Sequence, residues 1–315
     1  MAWTQAKTKK LGHLLIPIVL LLSCTLIFID LPIMERLELK ALDLLFWIRG
    51  EQKPQGHVVI VTIDEKTIRA WGRWPPPRAR MADLVNHLSA RGAKVILFDI
   101  IFSEKELVME TKGPGEEEVF SPGDLAFKEA IKRAGNVVLP FVLDVPTTYQ
   151  TVSEFSKEIP ETIQFSTYGR VKKGALLRDA PQAIGALPPL ALFGDVAGAL
   201  GHVYTLPDKD GVLRRDQLVV KYGEDYYPTM TLQATRLDLG LSEMEMELKM
   251  GEGVRLGKIE IPTDEIGRML IDYFGKEKTF PYYSAADVVA GQTAPNLFDG
   301  KIALIGASAM ATADS

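Results

Sequence analysis

The stretch from residue 58 to residue 101 most constrains what this chain can fold into. VVIVTID (58–64) and KVILFDII (94–101) are apolar runs rich in β-branched residues. Neither alternates with polar residues, as a strand with one wet face would. Both therefore suit strands buried on both faces, as in a parallel sheet. Between them, Met81, Leu84, Val85 and Leu88 stand at helical spacing within residues 78–91, and Gly92 follows as a C-cap. Strand, helix and strand at this length form a βαβ unit, which predicts parallel strands joined right-handedly.

Further elements extend that unit. Ser121-Pro122 is a helix start, with serine as N-cap and proline in the first turn, and the helix is expected to end near Gly135. Residues 137–143 and KIALIG (301–306) read as two more buried strands. PDKDG (207–211) has strong turn chemistry and predicts a hairpin of 202–206 with 212–220. A helix is expected over 228–239, short strands over 254–261 and 268–274, and a short helix over 284–289 capped by Ser284. Residues 244–250 alternate with period two, so helix and strand both stay open. Residues 103–121 read as a surface loop, and its run Glu116, Glu117, Glu118 as a solvated face. Residues 144–200 read as a long excursion with little regular structure. The sum predicts an α/β fold: a mixed, largely parallel sheet with helices on both faces.

Ahead of it stands LGHLLIPIVLLLSCTLIFI (11–29), without a formally charged residue. At about 1.5 Å per residue it matches the bilayer's hydrocarbon core. A transmembrane helix over 11–31 is expected, with Pro17 tolerated inside it. Lys7, Lys9 and Lys10 precede it, while Asp30, Glu35 and Glu38 follow. The lysine bias places residues 1–10 in the cytoplasm and residues 32–315 outside. A signal anchor is the preferred reading; a cleaved signal peptide and lipoprotein processing at Cys24 are the alternatives. A helix over 34–49 should leave the membrane, with Leu37, Ala41, Leu44, Leu45 and Ile48 at helical spacing and Gly50 and Pro54 as its stop.

Charge and composition exclude several functions. A net charge of −5 and the lack of an arginine-rich stripe argue against nucleic acid as a partner. A single cysteine rules out an internal disulfide and a cysteine-rich zinc site. His13, His57, His87 and His202 are scattered without ligand spacing, so no metal and no cofactor is expected. No G-x-G-x-x-G follows either early strand, and no G-x-S-x-G is present. Lys66 stands two residues after Asp64, where a phosphotransferase of the aspartate-nucleophile type needs a second aspartate. No catalytic residues are assigned.

Two constellations remain as candidate ligand sites. Asp64 and Asp99 end strands expected to be neighbours, and ligands collect beyond the carboxyl ends of parallel strands. With Glu65 they would line one crevice; the competing reading is that they cap loop amides. Arg73, Trp74 and Arg78 flank Pro75, Pro76 and Pro77, a stiff stretch expected to be polyproline. They could hold an anionic or planar ligand by hydrogen bonds and cation–π contact. The competing reading makes Trp74 a lid over the core and pairs Arg73 with Asp64 or Asp99. Arg214 and Arg215 read as a solvated strand edge rather than an anion site.

Six segments in order resemble the CHASE type-2 (CHASE2) domain, an extracytoplasmic sensor of bacterial signalling proteins. They are LELKALDLLFWIRG (37–50), VVIVTIDEKTIRAWGRWPPPR (58–78), AKVILFDIIFSE (93–104), DKDGVLRR (208–215), IPTDEIGRMLIDYFG (261–275), and FPYYSAADVVAG with LFDGKIALIGASA (280–309). The most specific is the second, where Ile63, Asp64, Glu65, Gly72, Arg73, Trp74, Pro75 and Arg78 follow the family pattern. Pro76 departs from it, since a second aromatic is usual there. The resemblance implies a sensor in the bacterial inner membrane that is not itself an enzyme and serves an unidentified stimulus. A homodimer would suit the implied output. Further membrane helices and a cyclase or kinase domain are expected beyond Ser315, which makes this chain a fragment. A tethered periplasmic enzyme and a ligand-free interaction module are the alternatives.

Overall fold

The computed structural model describes residues 32–106, 120–146, 155–172 and 180–308. The expected transmembrane helix over 11–31 and the acidic run 116–118 lie outside them. No helix among the described residues is long and apolar enough to cross a membrane. The chain divides into two compact units, residues 1–52 with 273–276 and the remainder.

In the first unit, α1 (Pro32–Arg49) is the expected helix, with Glu35 in its first turn and Arg49 in its last, each complementing the helix dipole. The segment 273–276 is tied to its end. The Arg49 guanidinium donates to the Tyr273 carbonyl, Phe46 meets the Tyr273 ring edge-on at 6.3 Å, and Gln52 N donates to Phe274 O at 2.6 Å.

The second unit opens with β1 (Val58–Ile63), α2 (Glu65–Trp71), α3 (Arg78–Ala90), β2 (Val95–Phe98), α4 (Pro122–Ala134) and β3 (Val137–Asp144). The capping signals read around α4 operate: Ser121 and Asp124 form a reciprocal capping box, and Gly135 closes the helix at φ 67°, whereas the Ser284 side chain makes no cap hydrogen bond to its own helix. Then come β4 (Arg170–Lys172), β5 (Gln182–Ala183), β6 (Gly185–Leu187), α5 (Ala191–Gly194) and β7 (Ala199–His202). The stretch read as irregular thus holds short strands, too brief to show a period. The chain continues through β8 (Arg215–Gln217), β9 (Val219–Tyr222), β10 (Asp225–Pro228), α6 (Met230–Asp238), β11 (Met246–Lys249), β12 (Gly253–Leu256), β13 (Ile259–Pro262) and β14 (Arg268–Leu270). It ends with β15 (Tyr282–Ser284), α7 (Ala285–Val289) and β16 (Ile302–Ala307).

The fold is mixed α/β. The main sheet runs β15-β1-β16-β2-β3, with β7 along the first half of β3 and β6 along its second. All these neighbours are parallel except β6. Alternation sorts the core: Val59, Val61, Ile63, Ile96, Phe98, Ala303 and Ile305 pack with α3, α4 and α7 residues. Val95, Leu97, Ile302 and Leu304 face the other way, towards Met230, Ala234 and Leu237 of α6. Helices therefore cover both faces. Where α6 begins, its backbone crosses β7 so closely that a Cβ on Gly201 would lie 2.4 Å from Met230 N. Only glycine fits there.

Two expectations are corrected. The final strand β16 inserts between β1 and β2, registering Val59 with Ala303 and Ala303 with Ile96. The βαβ pair is parallel but not adjacent. The hairpin around PDKDG does not form either. Its first arm, expected over 202–206, is mostly loop, and His202 instead ends β7, paired with Phe141 of β3. Its second arm splits into β8, paired with β14, and β9, paired with β10. The turn itself closes, Gly211 N donating to Asp208 O at 2.8 Å and Asp208 N to Val212 O at 3.0 Å, but the flanking segments pair elsewhere.

Candidate functional site

Asp64 follows β1 and starts α2. Its Oδ1 accepts from Thr67 N at 2.8 Å, Thr67 Oγ1 at 2.7 Å and Ser284 Oγ at 2.8 Å. This is an N-cap. Burial works against its charge, but these hydrogen bonds outweigh it and hold the carboxyl below its ordinary value. Glu65 lies exposed in the first turn of α2.

The turn after α2 begins at Gly72, at φ 89°. The Trp74–Pro75 bond is cis, and Pro77 is extended at φ −55° and ψ 135°. Trp74 is half-buried and packs on the main core. Arg73 pairs with Glu106 at 2.5 Å, not with either strand-end aspartate. Arg78 is buried: its Nε lies 3.6 Å from Asp124 Oδ1, and its guanidinium donates to Glu104 O at 3.2 Å and sits 4.6 Å over the Phe102 ring. The Arg78 guanidinium thus stacks on a ring of the protein itself, Phe102. Burial lowers the Arg78 pKa, opposed by Asp124 and Glu106. Glu106 completes the knot, accepting from Arg78 N at 3.2 Å and Ser121 Oγ at 3.0 Å. Both arginines are thereby occupied within the protein.

Asp99 follows β2 on the far side of β16. Two strand spacings separate it from Asp64, about 10 Å across the sheet. The six candidates thus fall into three places rather than one crevice. Asp99 lines a cavity of about 220 Å³ together with His202, Tyr204, Asp216, Thr229 and Thr231. It sits at the carboxyl edge of β2 and β7, beside the start of α6. Gly306 of β16 lies beside it, where a Cβ would make only an ordinary contact with the Asp99 Cβ at 3.8 Å. Among the described residues the Asp99 carboxylate has no hydrogen-bond or ion-pair partner. Burial raises its pKa, although the residue is not enclosed. Burial also raises Asp216, offset in part by Thr231, whose hydroxyl donates to it at 3.4 Å.

Asp216, Tyr204, Thr229 and Thr231 were not read as site residues. They come from the segment misread as a hairpin arm and from a helix cap. No group of His, Cys, Asp and Glu among the described residues is arranged to hold a metal ion.

A second polar centre joins two of the resembling segments. Asp208 is bonded by Arg214 at 3.2 Å and Arg215 at 2.9 Å, with Arg268 at 3.9 Å. Arg214 also pairs with Asp210 at 2.8 Å, and Arg268 with Asp264 at 2.7 Å. Asp208 and Arg214 are buried, which corrects the expectation of a solvated edge. Apolar spacing could not show this, because the cluster is built from ion pairs: Arg214 meets Asp208 and Asp210 across the turn, and Arg268 joins from β14, far along the chain.

The second unit is thus an α/β sheet with a polar cavity at its carboxyl edge and an ion cluster around Asp208. The family model for the CHASE2 domain matches residues 18–315. The chain belongs to that family, whose members are extracytoplasmic sensor domains of membrane proteins. No curated protein and no solved structure matches it.

Proposed function

We propose that this chain is the outward-facing sensor of a bacterial signalling protein in the cytoplasmic membrane, with the Asp99 cavity as its receiving site. The single observation that carries this reading is the family match across residues 18–315. The charge-free run at 11–29 behind Lys7, Lys9 and Lys10 supports an anchor with its N-terminus in the cytoplasm. A stimulus outside acts through unequal affinity for two conformations of the domain. The helix α1 is the lever that passes the change towards the membrane. The output is a cyclase or kinase domain inside the cell, and a homodimer suits either.

The cavity supports ligand reception because it combines unpartnered and hydroxyl-bearing side chains at a parallel sheet's carboxyl edge. The test is a thermal-shift ligand screen on the full chain in lipid nanodiscs, repeated with Asp99→Asn. A compound that stabilises the native chain, does so less in the variant, and is recovered unchanged supports the reading. Reproducible turnover of the compound overturns it in favour of an enzyme. A reporter fused after residue 50 that is active only in the cytoplasm overturns the topology.

A further inference from the structure

The sheet ordered β13-β12-β11-β4 carries a larger cleft, of about 440 Å³. That lies within the roughly 300–1,000 Å³ of small-molecule sites. Leu239, Met244 and Ile259 line it with 42 %, 54 % and 47 % of their surfaces exposed. Large apolar side chains gathered in one concavity mark a binding surface, whereas scattered ones need no explanation.

The charges around it do not cancel. Glu247 is buried and ion-paired with Lys172 at 2.8 Å and with Arg255. The hydrogen bond from Lys172 is the largest cause holding its carboxyl below its ordinary value. Glu245 spends its Oε2 on Ser242 N and Ser242 Oγ, both at 2.9 Å, and feels Arg170 only through its field. Arg170 and Lys258 also line the cleft and are exposed. Neither has a hydrogen-bond or ion-pair partner among the described residues. A chain of net charge −5 therefore presents a positive surplus beside an apolar wall.

We propose that this cleft binds a small amphipathic carboxylate, its apolar body on Leu239, Met244 and Ile259 and its head group on Arg170 and Lys258. Arginine's planar fork suits a carboxylate, and Lys258 adds a second charge that needs no fixed geometry. The site shares no residue with the Asp99 cavity, so it stands whether or not that cavity receives the stimulus.

The test uses the full chain in nanodiscs of neutral phosphatidylcholine, titrated with 4-phenylbutyrate by calorimetry. Saturable binding is expected, about tenfold weaker for the neutral amide 4-phenylbutyramide and for Arg170→Gln or Lys258→Gln. Both substituted residues are exposed, so folding is preserved, and unchanged melting temperatures verify it. Met244→Ser should weaken binding through the apolar wall, and Asp99→Asn should leave it unchanged. Equal affinity for acid and amide, unaltered binding in both charge variants, or no saturation up to about 10 mM overturns the proposal. Loss of binding when anionic lipid is added to the nanodiscs also overturns it, since the occupant would then be a membrane lipid.

Discussion

Ser284, the residue before α7, donates its hydroxyl to the same Asp64 oxygen that caps α2. One carboxylate thus pins the starts of two short helices to the ends of adjacent strands β1 and β15. Thr67 Oγ1 lies 3.0 Å from Ser284 Oγ and accepts from Ala286 N at 3.2 Å, which closes the cluster.

Asp64→Ala should therefore act on stability. It removes a cap and leaves Thr67, buried, short of its acceptor, a loss of about 1–3 kcal/mol. The folded carboxyl is depressed, so its contribution is present above the unfolded value near pH 3.9 and lost as pH falls through the folded value. Thermal melts at neutral pH should separate wild type from variant, and the gap should narrow below about pH 4. A constant gap down to pH 2 would sink the capping explanation.

Arg73 and Arg78 should behave oppositely although both lie in the same turn. Arg73 and Glu106 form a partly exposed pair, so Arg73→Ala should cost about 1 kcal/mol or less. Arg78→Met strands Asp124, which is wholly buried, without its cation, and should cost about 3–5 kcal/mol. Urea unfolding of both variants tests this. Comparable losses would mean that the ion pair at Asp124 does not stabilise the turn.

Why the sequence disclosed some of this and not the rest follows from the range of the interactions. Met81, Leu84, Val85 and Leu88 are visible as a helix face because helical periodicity is local, and all four are buried. The Ser121 cap is visible because its acceptor and donor lie three residues apart. The insertion of β16 between β1 and β2 is invisible, since strand order depends on pairing between segments more than two hundred residues apart. The same limit hid α2: a seven-residue helix shows hardly two turns of period. It also hid Asp216 beside Asp99, because each is an ordinary acid until the sheet edge brings them to one cavity.

Asp208 is the acid on which the segments 208–215 and 261–275 meet. Asp208→Ala leaves buried Arg214 with Asp210 as its remaining carboxylate partner and removes the acceptor shared by Arg215. A loss of about 3 kcal/mol is expected, with hydrogen exchange rising in β8 and β14, which pair beside the cluster. Exchange confined to the 207–213 turn, with β14 protected as before, would show that the cluster does not clamp the two strands.

His202 supplies a pH dependence that no surface group would. Its ring is fully buried, edge-on to Phe141 at 6.5 Å, and burial lowers its pKa to about 3. In the unfolded chain the ring takes a proton near pH 6.5. Below that pH the unfolded state binds the proton and the native state does not, so stability falls as pH drops from about 6.5 towards 3. At 1.36 kcal/mol per unit, acidification from pH 7 to pH 5 should remove about 2 kcal/mol through this ring alone. His202→Gln keeps a polar side chain of similar length but cannot titrate. Its stability should be flatter over that interval in parallel urea titrations, whatever its absolute value. Identical slopes for variant and wild type would place the acid sensitivity elsewhere. A sensor that loosens on mild acidification would do so at β7, the strand whose end borders the Asp99 cavity.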